Sequence, residues 1–171
     1  MINGIEPQLV WIESPTNPLL KIINIKLVAQ AAHEAGASLV VDNTFASSCL
    51  QQPLELGADL SLLSTTKYTN GHSDTLGGVV CSASDEWGDK MVFAQKALGL
   101  QPSPFGCWLI QRGLKTQELR VKRHCSNALA VATFFESEFS DAVVRYPFLE
   151  SHPQYDIAKK QMLGGSGIVT V

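Results

Sequence analysis

The sequence has no apolar run near the roughly 18 residues that a membrane-spanning helix needs, which excludes a span of that kind. Its start, MINGIEPQLVWIE, has no basic stretch leading into a long apolar one, so no signal peptide is expected. Basic residues are not in excess: 13 Lys and Arg stand against 16 Asp and Glu, for a net charge of −3. A nucleic-acid surface wants a basic patch and is not expected. Cysteine is scarce, with only Cys49, Cys81, Cys107 and Cys125. None forms a CxxC pair or lies beside a His at metal spacing, so neither a disulfide framework nor a zinc site is expected. Reduced thiols in a cytoplasmic protein follow. Repeats and low-complexity segments are also absent. Charged residues make up 17% and apolar residues 45%, which excludes a disordered chain and allows a sizeable core. At 171 residues the chain suits one domain or two unequal parts.

Short apolar runs punctuate the first half. LVWI (Leu9–Ile12), SLVVD (Ser38–Asp42), ADLSLLS (Ala58–Ser64) and GGVVCS (Gly77–Ser82) read as buried strands. SPTNP (Ser14–Pro18) reads as a turn, since its prolines remove donors and keep the preceding residues extended. Leu27, Val28, Ala31, Ala32 and Ala35 recur at helical spacing, with Asn24 as N-cap and Gly36 as the stop. Strand, helix, strand at this spacing is a βαβ unit, and continuous apolar strands predict an α/β fold with a mostly parallel sheet. Beyond it, Asp85–Leu98, Cys107–Leu114 and Glu118–Phe139 read as helices, the last with Leu119, His124, Ala128, Val131, Phe134 and Phe135 on broad shared faces. Val143–Tyr146 and Ile168–Val171 read as strand-like ends.

Ligands of open parallel sheets sit beyond the carboxyl ends of the strands. Three polar clusters fall there: Thr16-Asn17, Asp42-Asn43-Thr44 and Ser64-Thr65-Thr66-Lys67. Singly each has an ordinary reading, because an Asp after a strand is commonly a turn residue and Ser or Thr bonds its own backbone. Together they make a coherent site for an anionic, nitrogen-containing ligand.

SPTNPLLK (Ser14–Lys21), VVDNTFAS (Val40–Ser47), QQPLELGAD (Gln51–Asp59), STTKYTNGHSDTLGG (Ser64–Gly78), RGLKT (Arg112–Thr116) and SHPQ (Ser151–Gln154) occur in one order along nearly the whole chain. This set resembles the Cys/Met-metabolism enzymes that depend on pyridoxal 5'-phosphate (PLP). The group includes cystathionine γ-lyase, cystathionine γ-synthase, cystathionine β-lyase and methionine γ-lyase. YTNGHSD, RGLKT followed by Arg120 and His124, and SHPQ look most like the γ-lyase branch. The resemblance implies part of the large domain of the PLP-dependent transferase fold (aspartate aminotransferase-like, fold type I) over residues 1–117. The long helix and the start of an α/β C-terminal domain would occupy 118–171.

Site roles implied by the resemblance carry over position by position. Lys67 stands where the family lysine holds the cofactor covalently and later shuttles protons, which requires a neutral amine. Asp42 matches the acid that pairs with the pyridinium nitrogen. Asn17 matches the residue reaching the ring's 3-oxygen, Ser64 and Thr66 match the phosphate-binding hydroxyls, and Thr44 packs beneath the ring. The implied reaction cleaves L-cystathionine to cysteine, 2-oxobutanoate and ammonia, in a homotetramer built from close dimers. γ-Synthase or methionine γ-lyase chemistry is the alternative.

Family members are far longer, so a partial chain is expected, and one that ends within an apolar run. The substrate-carboxylate arginine would lie beyond residue 171, and Arg112 and Arg120 do not match it. The ring-stacking tyrosine and the glycine-containing phosphate loop would lie in the missing earlier part. Little catalysis is expected of this chain alone, and association with full-length subunits is the non-catalytic alternative. Among other features, His33 reads as a surface or boundary residue and His124 as a packing or interface residue. His72 either supports the lysine loop or is a plain loop histidine. GGSG (Gly164–Gly167) lacks the GK[ST] ending of a phosphate loop and reads as a turn. The aromatic residues from Trp87 to Trp108 read as core or subunit interface.

Overall fold

Three of the four apolar runs become parallel strands in adjacent positions. β1 (Leu9–Glu13), β2 (Ser38–Asp42) and β3 (Leu60–Ser64) lie side by side in a computed structural model that describes residues 6–171. Glu13 is level with Asp42, and Asp42 with Leu62, so all three carboxyl ends meet at one edge. Met1 to Ile5, the first part of the stretch read as lacking a leader pattern, fall outside the described residues.

Between β1 and β2 runs α1 (Ile25–Glu34). It starts as the sequence predicts, with the Asn24 side chain accepting the Leu27 N–H at 3.1 Å. It ends where Gly36 takes φ +74°. There Gly36 N–H reaches the His33 carbonyl and Ala37 N–H the Ala32 carbonyl, which satisfies two carbonyls of the last turn. Ile25, Ala29 and Ala32 pack on Leu39 and Val41 of β2 with Ala37 and Ala58, forming the first apolar core.

The fourth strand, β4 (Gly78–Ser82), pairs with β3 but runs antiparallel to it. A parallel return needs a crossover, usually helical, of a dozen residues or more. Here the link stays at the sheet edge as a turn and loop, and Thr65 N–H donates to the Gly77 carbonyl at 2.9 Å, so the chain folds straight back. α3 (Asp85–Ala97) follows with no buried residue. α4 (Pro104–Leu114) begins three residues before the predicted start at Cys107, because Ser103 caps it through Gly106 N–H and Pro104 fills the first helical position.

α5 (Gln117–Glu138) turns inward only part of the faces predicted, keeping Ala128 and half-buried Phe135. Val121, Ala128 and Ala132 are buried, while Leu119 (71% exposed), Val131 and Phe134 face outward. Small residues let α5 approach its neighbours closely, and the larger ones are left outside. Val121 joins Ile22, Ala46 and Leu50 from α2 (Ser47–Leu50), together with Ala158 and Met162 at α6 (Tyr155–Gln161), in a second core. Ala128 and Ala132 join Val144, Tyr146 and Leu149 in a third. The strand-like ends predicted at 143–146 and 168–171 shrink to a single antiparallel bridge, Arg145 with Thr170. Pro147 cannot donate to a longer ladder, and Ser166 at φ +70° bends the chain just before it.

SHPQ ties this last segment to the loop after β1. His152 is buried, its Nε2–H donates to the Leu20 carbonyl at 3.1 Å, and its Nδ1 accepts Gln154 N–H at 3.2 Å. Both ring nitrogens are committed in the neutral form, and burial holds the imidazole pKa below its ordinary value. A proton on Nδ1 would set two donors against each other. Stability should therefore be full above about pH 6.5 and fall as the pH drops from there toward the folded-state pKa, since the unfolded chain binds the proton more readily. Urea unfolding between pH 7.5 and 5 checks this, and His152→Gln should flatten that part of the pH dependence.

Candidate functional site

The shared strand edge collects most of the polar residues predicted from sequence. Ser14 N–H donates to the Asp42 carbonyl at 3.3 Å, and Asn43 N–H to the Leu62 carbonyl at 2.8 Å, so the strands stay joined past their ends. Asp42 is half-buried, and its Oδ1 accepts Thr44 N–H at 2.9 Å. Buried Thr44 turns its Oγ1 to accept Ser64 N–H at 2.9 Å. Asp42, Thr44 and Ser64 thus form one hydrogen-bonded chain across the ends of β2 and β3. The Ser64 hydroxyl itself is unengaged among the described residues. Asn17 lies apart: it is exposed beyond β1, two strands from β3, and its N–H donates to Glu13 Oε2 at 3.3 Å. No hydrogen bond links it to the other candidates among the described residues.

Lys67 sits on a single wide turn, Thr65–Thr69, closed by Asn70 N–H on the Thr65 carbonyl at 2.8 Å. The turn breaks helical geometry at Lys67 itself (φ −87°, ψ −118°). Thr66 Oγ1 accepts Gly77 N–H at 3.0 Å and so draws the returning loop against the turn. Lys67 faces a cleft of about 310 Å³ lined also by Phe45, Thr66, Tyr68, Arg120 and His124. The lysine is exposed, so this chain supplies only part of the water-excluding wall that the predicted neutral amine would need.

Arg120 is the chief residue that sequence reading left without a role. Its guanidinium donates to the carbonyls of Tyr68 (2.9 Å), Thr69 (3.4 Å) and Gly113 (2.8 Å), and its Nε–H to Thr116 Oγ1 (3.1 Å). Arg112 is spent on Asp74 at 3.0 Å, where the Asn70 amide and then the guanidinium hold the carboxylate pKa below its ordinary value. Both arginines are therefore structural donors here. Tyr68, next to Lys67, accepts Gly167 N–H at 3.0 Å and packs its ring 5.7 Å from that of His124. Burial raises the Tyr68 phenol and the Cys125 thiol above their usual values, so both stay protonated at neutral pH. GGSG, predicted as a turn, is bent irregular backbone without a closing hydrogen bond among the described residues, and it seats Gly167 on Tyr68. His124 lines the cleft as well as packing. His72 bonds the Asn70 carbonyl through Nδ1 at 2.7 Å, a local loop contact, and His33, exposed on the surface, pairs with Asp59 at 2.9 Å.

A buried amide network behind the edge also went unread. Asn43 Nδ2 donates to the carbonyls of Ser47 and Gln51, and Gln51 Nε2 donates to Asn43 Oδ1 and the Ser14 carbonyl, both at 2.8 Å. Gln161 Nε2 completes it on Gln51 Oε1 at 3.0 Å. No sequence pattern marks a glutamine as buried, since the type is mostly exposed. Among the described residues no group of three or more His, Cys, Asp or Glu could hold a metal ion, and no helix is long and apolar enough to cross a membrane.

Residues 2–171 match the family described as Cys/Met metabolism PLP-dependent enzyme. Cystathionine γ-lyase of Dictyostelium discoideum is 52% identical over 95% of this chain and 42% of its own length. Cystathionine γ-synthase of Mycobacterium bovis is 49% identical over 96% of this chain and 42% of its own. The crystal structure of cystathionine γ-synthase from Xanthomonas oryzae pv. oryzae in complex with cystathionine superposes with a TM-score of 0.93 at 44% identity, over 96% of this chain and 42% of that one. The chain spans about two-fifths of the length of these relatives.

Gln51→Leu removes two donors and one acceptor from the buried network at nearly constant volume. It should lower stability by about 2–5 kcal/mol, the cost of orphaning several buried polar groups. Urea titration of the variant against the parent chain measures it.

Proposed function

The chain belongs to the Cys/Met metabolism PLP-dependent enzyme family, and on that premise we propose that it carries the cofactor-anchoring part of a transsulfuration enzyme, with Lys67 as the anchoring amine. The observation that carries this reading is the placement of Lys67 on the turn after β3. Ser64 and Thr66 flank it, and Asp42 ends the neighbouring strand.

The donor set suits PLP in kind: a primary amine for an aldehyde, hydroxyls for a phosphate and a carboxylate for a pyridine nitrogen. When bound, PLP supplies a ring that stabilises negative charge at the amino-acid Cα. Asp42, fixed through Thr44 N–H, would hold the ring nitrogen's proton, and Ser64 Oγ, left unengaged by the fold, would donate to the phosphate with Thr66. Asn17 would reach the 3-oxygen, and Thr44 would pack beneath the ring. Lys67 Nζ would carry the cofactor and, once released, move a proton between substrate carbons.

Within transsulfuration we read the direction as γ-cleavage of L-cystathionine to cysteine, 2-oxobutanoate and ammonia, supported by the YTNGHSD and SHPQ motifs. The γ-synthase reading is kept because relatives of that name, at 46–49% identity, are nearly as similar as the lyases. The start of α5 is read as the passage from the cofactor domain to the C-terminal domain. Homo-oligomerisation belongs to the same reading, supported by large exposed aromatics on α3 and α4 such as Phe93 (73%) and Trp108 (54%). A cytoplasmic location is supported by four free thiols.

Adding PLP to the purified chain should give a visible absorbance band that borohydride converts to a stable adduct. Peptide mapping should find the adduct on Lys67, and Lys67→Ala should abolish it. A folded chain whose adducts are spread over other lysines would reject the anchoring role. A full-length version incubated with L-cystathionine, against O-acylhomoserine plus cysteine, then separates the two directions by which substrate is consumed.

A further inference from the structure

We infer that Arg120 is the positioning residue for Lys67, acting as a brace that holds the lysine turn in its reactive shape. Lys67 is exposed at the crest of a turn whose Thr65, Thr69 and Asn70 are buried. The turn closes on itself through the Asn70 and Gly71 amides, and three features from outside hold that closure.

The planar guanidinium spans the two carbonyls that follow Lys67, those of Tyr68 and Thr69, and ties both to the Gly113 carbonyl at the end of α4. Gly71 makes room for it: Gly71 lies at φ +77°, and a Cβ there would stand 1.8 Å from Arg120 Nη1. Gly113 lies flush against the turn, since a Cβ on it would meet the Asn70 carbonyl oxygen at 2.1 Å. Arg120 is thus bonded to the turn, while Gly71 and Gly113 clear the space for it. The geometry calls for a fork of several donors in fixed directions, which lysine cannot reproduce from one ammonium point. A positive charge in the cleft is not enough to explain the arrangement.

The link from turn shape to cofactor capture rests on the function proposed above, so the test has one arm that needs no cofactor. In Arg120→Lys, hydrogen exchange at the Asn70 and Gly71 amides, which close the turn on Thr65 and Lys67, should quicken about tenfold or more, with β2 amides unchanged. PLP captured on Lys67 by borohydride should require about tenfold or more higher PLP concentration. Gly71→Ala, which displaces the guanidinium and also strains the backbone at φ +77°, should reproduce both effects, and the double variant should be clearly less than additive. Unchanged exchange at Asn70 and Gly71 in Arg120→Lys would overturn the brace. Faster exchange with unchanged capture on Lys67 would overturn the positioning role. If the parent chain itself captures no PLP on Lys67, the proposed function fails, and the exchange arm alone decides whether Arg120 holds the turn.

Discussion

The hydrogen bond from Ser64 N–H to Thr44 Oγ1 fixes where β3 ends relative to β2, and the candidate site depends on that alignment. On one side it leads through Thr44 N–H to the Asp42 carboxylate, and on the other straight into the lysine turn. A slip of one residue in a strand sends every side chain to the opposite face. The parallel register of β1, β2 and β3 and this side-chain link therefore do one job together. They bring an acid, two hydroxyls and an amine from separate parts of the sequence to one edge.

Behind that edge the arrangement is stiffened by polar contacts that are individually modest and mutually dependent. Asn43, Gln51 and Gln161 satisfy one another and the loop carbonyls, which links the strand ends to α6. His152 does the same between the last segment and the loop after β1. Each is a neutral hydrogen bond in a site with little water, where a lost partner costs more than the bond contributes. Residues far apart in sequence, such as Ser14 and Gln161, are coupled in this way to the position of Asp42.

Much of this was legible from residue pattern. The short apolar runs predict the three parallel strands, Asn24 and Gly36 mark the ends of α1, and the polar clusters after β2 and β3 fall at one edge as expected. The direction of β4 was not legible, because an apolar run of five residues reads alike in either orientation. The inner face of α5 was legible only in part for a related reason: size dominates a count of apolar positions, so Ala128 was named but Val121 and Ala132, which close packing also selected, were not. Arg120 and Gln51 escaped because their roles are three-dimensional. An arginine seven residues beyond Gly113 has no local signature, and neither does a glutamine between Leu50 and Gln52. Asn17, in contrast, was named both in the polar cluster after β1 and by resemblance, and the fold leaves it apart from the Asp42–Thr44–Ser64 chain.

The most direct test of the central claim, that one strand edge of this chain anchors PLP, is a crystal structure of the chain after PLP loading and borohydride reduction. The account predicts the ring covalently on Lys67 Nζ, its nitrogen against the Asp42 carboxylate and its phosphate against Ser64 and Thr66. A ring attached to Lys67 but turned away from Asp42, or a phosphate held elsewhere, would contradict it.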